Sequence, residues 1–172
     1  MVDYVSGSNS GNDDLTASST GSMMAGNGGN DVLRGGKSDD ILIGGAGDDK
    51  LYGGDGADQF RFFGDKIDGA SDVDAIYDLD FGEGDVLVFG KYNGLFSTDA
   101  PGLDGFASGD SAIISSFAGL AAAYEASGGR ITYSGNAALD LLIVSFDNGA
   151  GQTQTIRISN GYAAFTSEFT PV

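Results

Sequence analysis

At every ninth position from residue 13 to residue 58 the chain places Asp13, Ser22, Asp31, Asp40, Asp49 and Asp58, an acid in all cases but one. Glycine-rich turns surround these acids. Gly26, Gly35, Gly44 and Gly53 open four consecutive units of the form Gly-x-x-x-x-Asp-x-apolar-x. Carboxylates recurring among turns with accessible carbonyls form a set of hard oxygen donors, and the chemistry such a set performs is binding of a hard divalent cation.

The elements that position these donors follow from the period. Six nine-residue units run without a gap from Ser8 to Arg61, and their eighth positions are Leu15, Met24, Leu33, Leu42, Leu51 and Phe60. Nine is a poor multiple of the helical repeat, and the glycines and acids disfavour a helix interior. The last three residues of a unit alternate polar, apolar, polar as a strand does, and the first six tolerate the positive φ of a tight turn. One apolar residue per unit points inward, so units must stack to share a core.

Gly44-Gly45-Ala46-Gly47-Asp48-Asp49-Lys50-Leu51-Tyr52 fits every fixed position of the nonapeptide G-G-x-G-x-D-x-U-x, and Gly53 to Arg61 fits it with Phe60 as the large apolar residue. The run resembles the RTX, or hemolysin-type, calcium-binding repeats. The resemblance implies an all-β fold: a right-handed parallel β-roll in which two units make one coil, continued and capped by a carboxyl-terminal β region with one short helix. It also implies calcium, held between like turns of alternate units. One ion then joins Gly26, Gly28 and Asp31 to Gly45, Gly47 and Asp49. A second joins Gly35, Lys37 and Asp40 to Gly54, Gly56 and Asp58. A weaker third joins Ser8, Ser10 and Asp13 to Asn27, Gly29 and Asp31. In this scheme Asp31 serves two ions and Asp13 one, and the second unit, with Ser22 in place of the acid, has lost its metal.

Composition agrees, with 25 acidic against 8 basic residues and a net charge of −17 over 172 residues. Self-repulsion opposes compaction of such a chain, so cation binding and folding are expected to be coupled. Extracellular calcium modules bind at roughly 10⁻⁴ to 10⁻³ M, which places folding outside the cell. The chain has no cysteine, and metal takes the place of disulfides. No run of eighteen apolar residues exists and no signal-peptide pattern opens the sequence, so neither membrane insertion nor amino-terminal signal export is expected. The resemblance implies instead the type I secretion apparatus as a partner and a secreted protein. The tail Thr166-Ser167-Glu168-Phe169-Thr170-Pro171-Val172 is compatible with its uncleaved carboxyl-terminal signal.

The division expected is a roll over residues 1–64 and a cap over 65–172. The stretch from Asp74 to Leu87 resembles the D-x-I-x-D-F…G-D-x-L/I pattern that follows the repeats in secreted RTX proteases, lipases and alginate epimerases, which makes Asp74 and Asp78 candidates for further calcium sites. Ile113, Phe117, Leu120 and Tyr124 recur at helical spacing and predict a helix over about 111–126, capped by Asp110 or Ser111 and ended by Gly128-Gly129. Strands are expected over Arg130 to Ser134, Leu139 to Phe146 and Gln152 to Ser159, with Asp147-Asn148-Gly149 as the turn between the last two.

Several chemistries are excluded by residue type. There is no histidine and no cysteine, which removes zinc sites of the H-E-x-x-H kind, Cys–His pairs and Ser-His-Asp triads. Gly109-Asp110-Ser111 resembles the nucleophile block of GDS-type esterases but lacks their His. Gly35-Gly36-Lys37-Ser38 resembles the end of a P-loop, yet Asp31 stands where that motif needs its first Gly. An EF-hand loop from Asp78 would need Glu where Phe89 stands. The charge disfavours nucleic acid. The chain is therefore read as non-enzymatic. Two alternatives remain: an accessory module binding an extracellular polysaccharide or surface, with Tyr52, Phe62, Phe63, Tyr77 and Tyr92 as stacking candidates, and a structural surface protein bridged by calcium.

Overall fold

The computed structural model describes residues 3–18, 20–63, 71–90, 113–147 and 151–169. The first nine elements are strands: β1 (Asp3–Ser6), β2 (Asp14–Thr16), β3 (Ser22–Gly28), β4 (Val32–Gly36), β5 (Ile41–Ala46), β6 (Lys50–Gly54), β7 (Gln59–Phe63), β8 (Ser71–Ile76) and β9 (Val86–Gly90). Then come β10 (Ile113–Ile114), α1 (Phe117–Ala126), β11 (Ile131–Asn136), β12 (Leu141–Asp147), β13 (Thr153–Ile158) and α2 (Tyr162–Ser167).

Strands β1 to β9 fall alternately into two sheets, ordered β1-β3-β5-β7-β9-β10 and β11-β12-β13-β8-β6-β4-β2. This is a parallel β-roll, with one strand per sheet from each pair of units. The register follows the repeat: Leu15 pairs Leu33 and Leu33 pairs Leu51 in one sheet, Met24 pairs Leu42 and Leu42 pairs Phe60 in the other. Alternation of side chains across each strand sends these residues inward. Met24, Leu33, Leu42, Leu51 and Phe60 have no exposed surface, whereas Leu15, on the first coil, is only half-buried.

Parallel stacking runs on past the nonapeptides. Leu51 pairs Ile76 of β8, which pairs Ile158 of β13, and Phe60 pairs Leu87 of β9. Beyond them the direction reverses, with β10 antiparallel to β9 and the β11-β12-β13 meander antiparallel within itself. The meander joins the roll by parallel pairing of β13 with β8. A ring contact ties it to the other sheet, Phe89 to Phe146 at 4.4 Å between centroids.

Among the described residues two helices, not one, pack at this end. The first starts later than its apolar periodicity suggests, because Ile113 and Ile114 pair with β9 and the helix begins only after Ser116, whose Oγ accepts from the Gly119 amide at 3.0 Å. Its end at Ser127, before Gly128 and Gly129, matches the expected stop. The second helix is short, and its leading amide at Ala163 is held by Asp140 Oδ1 at 2.7 Å. Several sequence expectations lie outside the described residues: the Gly109-Asp110-Ser111 block with its cap, Tyr92, Asn148 and Gly149 of the turn, and the last three residues of the tail.

Candidate metal centre

Each turn that leads into a repeat strand ends on its sixth-position residue, and these residues form two hydrogen-bonded ladders. On one edge the amides of Asp13, Asp31 and Asp49 donate to the Oδ1 atoms of Asp31, Asp49 and Asp74, at 2.7, 2.8 and 2.9 Å. On the other the amides of Ser22, Asp40 and Asp58 donate to the Oδ1 atoms of Asp40, Asp58 and Asp85, at 2.6, 2.8 and 2.9 Å. Ser22 thus keeps its backbone place where the acid is lost.

The second carboxylate oxygen separates the interior of the ladders from their ends. Among the described residues, Asp31, Asp40, Asp49 and Asp58 each hold Oδ2 buried with no hydrogen-bond partner. At the ends it is satisfied by protein. Asp13 Oδ2 accepts from the Ser8 amide at 2.7 Å and the Ser8 hydroxyl at 2.8 Å, Asp74 Oδ2 from Gln154 Nε2 at 2.9 Å, and Asp85 Oδ2 from the Asp80 amide at 2.8 Å. A buried oxygen without a partner forfeits its hydration. Four in series therefore point to a ligand that supplies positive charge.

Backbone oxygens converge on the same places. A Cβ added to Gly26 would stand 2.2 Å from Asp31 Oδ2 and 2.5 Å from the Gly44 carbonyl oxygen. One added to Gly35 would stand 2.3 Å from the Gly53 carbonyl oxygen and 2.6 Å from Asp40 Oδ2. Glycine at the first position is thus required by the approach of oxygens rather than by φ. Positions two and four differ, because Gly45, Gly47, Gly54 and Gly56 have φ between 98° and 123°, which glycine adopts without steric cost.

The sequence assignment takes positions one and three from the earlier turn and two and four from the later. A Cβ on Gly45 would meet Asn27 O at 2.3 Å and one on Gly47 would meet Gly29 O at 2.4 Å. The carbonyl oxygens at positions two and four of the earlier turn thus lie close to the glycines at the same positions of the later turn, and that of position one of the later turn lies close to the first glycine of the earlier. The first unit is also offset: β1 pairs Val5 with Met24, and Gly7 rather than Ser8 lies beside Asp13 Oδ2 and Gly26 O. Ser8 caps Asp13. Lys37 contributes to its turn through its backbone alone in that assignment, and its side chain is exposed.

Electrostatics follow burial. Loss of hydration, reinforced by neighbouring carboxylates, pushes Asp49 and Asp58 up to about 7 in the protein alone. Asp31, Asp40 and Asp85 are raised for the same first reason, and Asp74 is raised well above the ordinary range. Asp13 moves the other way because the Ser8 donors favour its ionised form. A divalent ion on these oxygens reverses the penalty by making the ionised form the favoured one. The donor set, carboxylates and backbone carbonyls on a flexible turn, suits calcium.

Of the further acids, Asp74 lies on the ladder, while Asp78 accepts from the Gly53 and Gly54 amides at 2.9 and 3.1 Å. Asp85, which no repeat marked, terminates the second ladder; the Gly-Asp that precedes the strand Val86 to Gly90 is its local signal. The aromatics considered for stacking are largely engaged within the protein. Phe62 is buried, and Tyr52 and Tyr77 stack on one another at 4.6 Å with Arg34 over the Tyr52 ring.

Comparison with known proteins points to the same kind of repeat. The family model described as the RTX calcium-binding nonapeptide repeat matches residues 25–60 in four copies. A search of curated proteins finds no match. Among solved structures, the AlgE6R3 subunit of the Azotobacter vinelandii mannuronan C5-epimerase, determined in solution, aligns with a TM-score of 0.58 and 23% identity over 96% of this chain and 84% of that one. At that identity the likeness is one of fold. Residues 25–60 are therefore RTX calcium-binding nonapeptide repeats, carried on a β-roll whose ion is calcium.

Proposed function

We propose that this chain is a non-catalytic calcium-binding module of a type I-secreted extracellular protein, and that it folds when it meets calcium after export. The observation that carries this reading is the series of four buried, unpartnered Oδ2 atoms on Asp31, Asp40, Asp49 and Asp58. Each sits against the first glycine of its own turn, where a bound cation would compensate it. Low extracellular-type affinity, roughly 10⁻⁴ to 10⁻³ M, leaves such sites empty inside a cell and filled outside. Among the described residues no helix is long and apolar enough to cross a membrane.

Two ions fall within the nonapeptides in this reading, one between the turns of Asp31 and Asp49 and one between those of Asp40 and Asp58. Asp13, whose free oxygen Ser8 already holds, takes little part. Calcium counting by isothermal titration calorimetry tests this. Asp31→Ala and Asp40→Ala are each expected to lose at least one ion per chain, and Asp13→Ala none. Equal losses in all three would overturn the assignment.

A further inference from the structure

We infer that Asn12, in the first coil, is a positioning residue for the ion between the turns of Asp31 and Asp49, acting through the backbone of the turn it faces. The fifth positions of the repeats form a ladder of their own beside that of the acids. On one edge Asn12 Oδ1 accepts from the Asn30 amide at 2.8 Å, Asn30 Oδ1 from the Asp48 amide at 3.2 Å and Asp48 Oδ1 from the Val73 amide at 3.0 Å. Its sense is opposite to that of the acids. Within one turn the Asn30 amide donates back to the coil before, whereas the Asp31 amide donates on to Asp49 in the coil after.

The consequence lies in the peptide unit that joins positions four and five. Such a unit is planar and trans, so its N–H and C=O point in opposite directions. The rung that draws the Asn30 amide back to Asn12 therefore turns the Gly29 carbonyl forward, toward the turn of Asp49. The close approaches agree. A Cβ on Gly47 would stand 2.4 Å from the Gly29 oxygen, and one on Gly29 would stand 3.1 Å from Asn12 Oδ1. Gly29 O is thus aimed between the same two turns where Asp31 Oδ2 and the Gly44 carbonyl lie beside one point.

A ligand carbonyl that is already aimed costs no reorganisation when the ion binds. Asn12 is exposed, so water competes for its oxygen and the net stabilisation from the rung is modest. What the rung determines is direction. The other edge differs, because position five of the second unit is Gly21 and offers no side-chain acceptor to the Asp39 amide. There the rung comes one coil later, with Asp39 Oδ1 accepting from the Ala57 amide at 2.9 Å. The first coil therefore serves an ion that its own acid does not hold: Ser8 closes Asp13, and Asn12 aims the turn behind it.

This inference rests on the calcium reading above, and the test separates the two. Calcium is titrated calorimetrically into the chelated whole chain, N12A and N12D, and backbone carbonyl-carbon resonances are compared by NMR at saturating calcium. N12A is expected to keep the ion number, to lose roughly threefold or more in affinity for one ion, and to move the Gly29 carbonyl resonance while that of Ser38 stays in place. N12D, which retains the acceptor oxygen, is expected to restore both. N12L, which also lacks the acceptor and carries the same expectations as N12A, replaces it if that variant does not fold. Unaltered affinity and an unmoved Gly29 resonance in N12A, or equal losses in N12A and N12D, would overturn the positioning role alone. No uptake by the unaltered chain would overturn the calcium reading and this role with it.

Discussion

At the scale of single residues, burial and charge are set against each other at one repeated position. Asp49 and Asp58 stand at about 7 in the protein alone because folding removes them from water. The unfolded values lie near 3.8, so between about 4 and 7 the calcium-free folded state binds more protons than the unfolded one. Stability without calcium is then present at low pH and is lost as pH rises through 7. Calcium competes with those protons, so its affinity runs the opposite way. Between pH 7.5 and 5.5 calcium affinity is therefore expected to fall by at least tenfold, and calorimetric titrations at the two pH values check the sign. The acids of this position were legible from spacing alone. Asp85 was not, because its place is defined by a hydrogen bond from the Asp58 amide across the stack and by no interval in the sequence.

At the scale of elements, each repeat strand is too short to be stable by itself, and repeat strands eighteen residues apart in sequence supply one another's ladder and core. The period made this register readable: Leu33 on Leu51 and Leu42 on Phe60 are where a two-unit coil puts them. Other boundaries depended on distant partners. Ile113 and Ile114 have helical periodicity with Phe117, but β9 offers them a strand edge. The short helix at Tyr162 is not legible locally, because the acid that holds it, Asp140, is remote in sequence. The joint between roll and meander has its own test. Gln154 is 2% exposed and donates to Asp74 Oδ2, so Gln154→Ala leaves a buried carboxylate oxygen without a donor, at a cost of about 1–3 kcal/mol. Chemical denaturation at saturating calcium is expected to show that loss; a change within a few tenths of a kcal/mol would mean the contact adds nothing to the joint.

At the scale of the whole molecule, the roll is a stack whose ends are closed in two ways. Protein donors close the ladders: Ser8 at the start, Gln154 and the Asp80 amide at the finish. The interior oxygens are left for ions. On the proposed reading, a chain carrying a net charge of −17 compacts only when cations are supplied where its acids are stacked, which would make calcium a condition of folding rather than an accessory to it. Far-UV circular dichroism during calcium titration of the chelated protein, followed by thermal melts, tests this most directly. The account predicts a large cooperative gain of β-structure and a melting temperature that rises with calcium concentration. A chelated chain that is already folded, and whose melting temperature ignores calcium, would contradict it.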